Sequence, residues 1–119
     1  MITDKEYILQ TVCLYYGIEI KCLMIPNRKA EIVKAKQMYF YLCSIYTKST
    51  FDSIAKKLNN NHATAIHGIN KIKNQLGLYY DLNNDVENIK SKLYENNSLI
   101  PDNIDLLRLT ENYTNSFVN

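Results

Sequence analysis

Two short amphipathic patterns, separated by three asparagines, constrain this chain more than any other feature. Between Thr50 and Leu58, the side chains of Phe51, Ile54, Ala55 and Leu58 fall on one helical stripe. From His62 to about Leu76, Ala65, Ile66, Ile69, Ile72 and Leu76 do the same. Asn59-Asn60-Asn61 between them is a tight polar turn, and Ser49 or Thr50 supplies a capping hydroxyl for the first helix. Two short helices joined this way form a helix-turn-helix, whose second helix meets base edges of the DNA major groove with its first residues. Asn61-His62-Ala63-Thr64-Ala65-Ile66-His67 is that leading edge, with polar, short-reach groups in front and apolar groups behind.

The rest of the chain also reads as helix. Thr3-Asp4-Lys5-Glu6 matches a capping box in which Thr3 and Glu6 satisfy free N–H groups. Ile8, Leu9, Val12, Cys13 and Tyr16 follow at helical spacing, and Gly17 is placed to end that helix. Ile18 to Met24 forms a short second helix, and Ile25 to Lys29 forms a loop with a basic tip. A long helix runs from about Ala30 to Thr47, with Ile32, Ala35, Met38, Tyr39, Leu42, Ile45 and Tyr46 on its apolar face. Lys34 and Lys36 near its start oppose the helix dipole, which hints at a task other than stability.

Gly68 costs its helix about 1 kcal/mol relative to alanine, and admits close approach of another helix or of a DNA backbone. Gly77 stops that helix. Leu82, Val86, Ile89 and Leu93 mark one further amphipathic helix. Pro101 marks a break, and Asp102 caps a short final helix with Ile104, Leu107 and Leu109. The expected fold is all-α: a compact multi-helix domain with a helix-turn-helix over residues 1–95, and a C-terminal helical extension over 96–119.

Composition excludes several classes. The 119 residues suit one domain, and no apolar run is long enough to span a bilayer. The expectation is a soluble cytoplasmic protein with no membrane partner. Glycines occur only at Gly17, Gly68 and Gly77, so no phosphate-cradling glycine loop exists. His62 and His67 lie five apart, outside the spacing that places two ligands on one helical face, and no metal or other cofactor is expected. Cys13, Cys22 and Cys43 are odd in number, lack paired short spacing, and read as small buried hydrophobes. The ten tyrosines lie mostly on apolar stripes and read as core.

Charge is divided along the chain. Residues 1–76 hold eleven Lys and Arg against five Asp and Glu, a net +6, while residues 77–119 hold three against seven, a net −4. A basic body with an acidic C-terminal part is a footprint of polyanion binding. Within it, His62 donates to a base edge or a phosphate, or serves as a simple helix-capping residue. Thr64 offers a hydroxyl and a methyl, Ala63 apolar contact only, and Asn60 and Asn61 contact phosphate or cap the helix.

These residues, in this order, resemble the C-terminal DNA-binding domain of the bacterial replication initiator DnaA, in the same broad helical class as the Trp repressor. Thr11-Val12 with Tyr15-Tyr16 is similar to the family's first helix, Arg28-Lys29 to its basic loop, and Lys34-Ala35-Lys36-Gln37-Met38 to the start of its central helix. Ser53-Ile54-Ala55 resembles the first helix of the motif. Asn61 to His67, followed by Lys71-Ile72, resembles the family's Asp-His-Thr-Thr-Val element and its continuation. The family's aspartate is Asn61 here and its first threonine is Ala63.

The resemblance implies double-stranded DNA binding without enzymatic activity. It assigns Arg28 to the minor groove, Lys36 and Gln37 to positions near the phosphate backbone and bases, and Thr50 to the phosphate-touching edge of the first motif helix, while Lys29 and Lys34 are further DNA-binding candidates on the basic loop and the start of the central helix. Asn61, His62, Ala63 and Thr64 match the base-reading edge and Lys71 a basic position farther along, with Asn60 and His67 as further DNA-binding candidates beside them. The expectation is a stand-alone DNA-binding protein without an ATPase module, acting in regulation of replication or transcription. The alternative is a protein-interaction module that keeps the fold without strong DNA binding. Such a module would bind a replication protein, self-associate through Ile104-Asp105-Leu106-Leu107-Arg108-Leu109, or cover its own basic face.

Overall fold

The computed structural model describes residues 4–96, and they form six α-helices. These are α1 (Lys5–Tyr16), α2 (Ile20–Met24), α3 (Ala30–Tyr46), α4 (Phe51–Lys56), α5 (His62–Gln75) and α6 (Tyr80–Asn96). The all-α expectation holds across them. The predicted helix from Asp102, the segment Ile104 to Leu109 and the cap at Thr3 lie outside the described residues. Among the described residues, no helix is long and apolar enough to cross a membrane.

Helix α3 is the axis of the molecule. Met38, Tyr39, Phe40, Tyr41, Leu42 and Cys43 are all buried, and a helix hydrophobic all round must be enclosed by others. Helices α1, α2, α4 and α5 pack on it. The predicted one-sided stripe was therefore too narrow, and Ile45, assigned to it, is instead 45% exposed. The Tyr39 hydroxyl, carried into this interior, donates to the Ile54 carbonyl oxygen at 3.1 Å, which ties α3 to α4 and satisfies a buried polar group.

Local signals set most helix ends. Asp4 caps α1 by accepting from the Glu6 N–H at 2.9 Å, the task the sequence assigned to Thr3. Gly17, with φ of 68°, closes α1 in a left-handed turn where the Ile18 N–H donates to the Cys13 carbonyl at 2.9 Å. Helix α2 begins at Ile20 rather than Ile18, with Glu19 at its N-cap. Of the two candidate caps for α4, Thr50 performs the task, accepting from the Ser53 N–H at 3.1 Å. Gly77, with φ of 89°, follows the end of α5 as expected.

Helix α6 runs antiparallel to α1 and closes the bundle. The Tyr7 hydroxyl donates to the Leu93 carbonyl at 2.9 Å, and Tyr46 of α3 meets Tyr94 of α6 edge to face. Asp85 accepts from the hydroxyls of Tyr15 at 2.9 Å and Tyr16 at 3.0 Å, and pairs with the Lys34 ammonium at 3.0 Å. This one carboxylate joins α1, α3 and α6. Burial works to raise its pKa, but the Lys34 ammonium and the two phenols together outweigh burial and hold it below the ordinary carboxylate range. Cys13 and Cys43 are buried as expected, whereas Cys22 is only partly so.

Candidate nucleic-acid interface

The turn between α4 and α5 is shaped by asparagine chemistry. Asn59 takes a left-handed conformation, φ 59°, which asparagine adopts more readily than most side chains. The Asn60 N–H donates to the Ala55 carbonyl and the Asn59 N–H to the Lys56 carbonyl, both at 2.9 Å, the paired closure of a Schellman turn. The Asn59 carboxamide donates to the Met24 carbonyl at 3.0 Å, pinning the turn against α2. Asn61 then caps α5: its Oδ1 accepts from the Thr64 N–H at 2.9 Å and from the Thr64 hydroxyl at 3.0 Å. Such a cap contributes about 1 kcal/mol and sets the entry angle of the helix.

Helix α5 is cleanly two-sided. Ala65, Gly68, Ile69 and Ile72 are buried, while Asn61, His62, Ala63, Thr64, His67 and Lys71 are exposed. Thr64, His67 and Lys71 follow at intervals of three and four, so they share the outward face. Ile66 and Leu76, read as buried, are only partly so. Gly68 is where α5 rests on α3: a Cβ added there would stand 3.1 Å from Phe40 Cδ2 and 3.2 Å from Gln37 Cγ. Of the two neighbours the sequence allowed for this glycine, the structure provides a helix.

The loop before α3 presents Arg28 and Lys29, both exposed. It is braced from two sides. The Asn27 carboxamide accepts from the Lys29 N–H at 2.9 Å, and the Lys36 ammonium donates to the Ile25 carbonyl at 3.4 Å. Burial lowers the pKa of that Lys36 ammonium. Between this loop and α5 lies a groove of about 620 Å³, lined by Arg28, Lys34, Gln37, Lys71 and Gln75, with Tyr79, Tyr80 and Asp81 at its far side.

The structure thus brings Arg28, Lys34, Gln37 and Lys71 to one groove, and sets Asn61 to Thr64 and His67 along the exposed face of the same α5 that carries Lys71. Lys34 is tied inward, paired with Asp85 and lying 5.7 Å from the Tyr16 ring centroid, which accounts for a cation near the start of α3 on structural grounds. Thr50 is exposed but occupied as a cap. Asn60 is turned partly inward, with a buried Oδ1 that has no hydrogen-bond partner among the described residues.

Two residues escaped the sequence reading. Tyr79 and Tyr80 are 57% and 77% exposed at the groove, although tyrosines were assigned to the core. That assignment holds for the other seven described tyrosines, which are buried or packed against the core. A signal was present: Leu78-Tyr79-Tyr80 places three bulky residues in a row directly after Gly77, and a single helical stripe cannot hide three consecutive side chains.

The chain is similar in sequence to known proteins. The family described as bacterial dnaA protein helix-turn-helix matches residues 5–72. The chromosomal replication initiator protein DnaA of Bacteroides thetaiotaomicron is 33% identical over 87 residues, covering 72% of this chain and 18% of that protein. The same-named protein of Streptococcus equi subsp. zooepidemicus is 33% identical over 89 residues, covering 74% and 20%. That of Thermomicrobium roseum is 31% identical over 91 residues, covering 76% and 20%. The chain spans about a fifth of the length of these relatives.

Proposed function

This chain belongs to the bacterial DnaA helix-turn-helix family, and on that premise we propose that it binds double-stranded DNA in replication initiation or its control. The observation that carries the reading is the shared placement of two features. An exposed polar edge, Asn61 to Thr64, opens α5, and the same helix continues to Lys71, which lines one groove with Arg28. A helix entering the major groove at its N-terminus would set the Arg28-Lys29 loop toward the neighbouring minor groove. Gln37 and Lys71 would flank the phosphate strand between the two, with Lys36 and Thr50 contributing from the loop brace and the α4 N-terminus. The unit that binds is residues 1–95, and its part is positioning and recognition rather than catalysis.

Fluorescence anisotropy with labelled duplexes tests this. Affinity is expected to fall steeply as salt rises, because each neutralised phosphate releases counterions. An Arg28→Ala, His62→Ala double variant that keeps its helical circular dichroism is expected to lose about five- to thirty-fold in affinity, the scale of one to two lost contacts of about 1 kcal/mol each. Unchanged affinity in that folded variant would overturn the assignment.

A second reading is a protein-interaction module on the same fold. Leu14 favours it: it is 83% exposed on α1, away from the helix-turn-helix. Duplex affinity that is weak and insensitive to salt would support this reading over the first.

A further inference from the structure

The hydrogen bonds at the start of α5 determine what Asn61 can offer to a base. Oδ1 of Asn61 accepts from both the backbone N–H and the hydroxyl of Thr64, at 2.9 and 3.0 Å. Only the oxygen of a carboxamide accepts from an N–H, so the cap itself orients the group and the amide nitrogen must occupy the other position. That amide is on an exposed residue, and no described residue accepts from it. The Thr64 hydrogen is likewise spent on Asn61, which leaves Thr64 Oγ1 with lone pairs only. The two side chains lock each other into opposite polarities.

We infer that Asn61 is a specificity-determining residue that reads DNA as a hydrogen-bond donor alone and thereby rejects cytosine at one base position. Guanine and thymine carry acceptors on their major-groove edges, and adenine carries one at N7. Cytosine shows only its N4 amine there and has nothing to accept with. Thr64, held as an acceptor beside it, contributes the complementary polarity. The inference rests on the DNA-binding reading above. It adds the direction of the preference, which follows from this chain having an amide where a carboxylate would cap α5 equally well. An aspartate keeps the capping oxygen and the shape, but its second oxygen is an acceptor. The same base position would then favour cytosine and disfavour guanine, whose O6 and N7 are both acceptors.

The experiment is selection of bound duplexes from a random library with the wild-type chain and with Asn61→Asp. Competition between duplex pairs that differ at the affected base pair then gives the preference. Because the added charge weakens binding to all duplexes alike, the readout is the ratio between paired duplexes, not affinity. The wild type is expected to disfavour cytosine about ten-fold at one position, and Asn61→Asp to prefer it there over guanine by a similar factor. Both should melt at similar temperatures, since the cap is retained. If both bind duplex DNA and select the same base at every position, the inference is overturned while the DNA-binding reading stands. If the wild type shows no salt-dependent duplex binding, both fall together.

Discussion

Gly68→Ala is the perturbation that best separates local helix preference from tertiary packing in this protein. Taken alone, α5 gains about 1 kcal/mol from the exchange, because alanine pays less backbone entropy in a helix interior. The packing opposes this. The new methyl would lie 3.1 Å from Phe40 Cδ2 and 3.2 Å from Gln37 Cγ, each about 0.5 Å inside the optimal carbon–carbon separation. Phe40 is 1% exposed in the most buried part of α3, so any shift of its ring must displace other core side chains. Overpacking of a tight core costs about 1–3 kcal/mol. The packing cost should exceed the propensity gain, leaving a net loss of about 1 kcal/mol, or a melting temperature lower by about 4–8 °C. Urea unfolding of the wild type, Gly68→Ala, Phe40→Leu and the double variant measures it. The smaller, more adaptable leucine should relieve one of the two clashes and give a favourable coupling of about 1 kcal/mol in the cycle. A Gly68→Ala protein more stable than the wild type by the full helix gain, with no coupling to Phe40, would show that the α3–α5 contact has room for the methyl.

Asp85→Asn is expected to lower stability by about 1–2 kcal/mol at neutral pH, since it removes a charge partner from Lys34 and weakens the bonds from two phenols. The wild-type carboxyl lies below its ordinary value of 3.8, so its contribution is complete above that pH and is lost as pH falls through the folded value beneath it. Acid unfolding followed by circular dichroism should therefore be less steep below about pH 4 in the variant, and an unchanged acid limb would contradict the assignment. Burial pushes the Cys13 thiol up to about 11 and the Cys43 thiol to about 12. A thiol reagent at neutral pH should label Cys22 alone in the native protein and all three cysteines after denaturation. Fast labelling of a second thiol in the folded state would show that the α1–α3 interior opens.

The readable part of the site was the part made by neighbours in sequence. Asn61 caps α5 through a residue three positions away, Thr50 does the same for α4, and Gly17 closes α1 within one turn. The face of α5 that carries Thr64, His67 and Lys71 follows from helical periodicity alone. What was misread depended on residues far apart in the chain. Lys34 looked like an unexplained cation until Asp85, fifty-one positions later, was brought to 3.0 Å of it. Tyr79 and Tyr80 looked like core because their composition is that of core, and only the packing of α6 leaves them at the groove.

Helicity, the ends of most helices and the polar face of α5 are all legible in the order of the residues. Those properties rest on backbone conformation and on hydrogen bonds that close within one turn. Only the tertiary packing encloses the middle of α3, Met38 to Cys43, on every face, brings Arg28 and Lys71 to one groove, and lets one carboxylate on α6 serve two helices. These need the burial of apolar surface among elements distant in the chain. Burial is non-directional, so spacing along one helix carries little record of which partner will cover it.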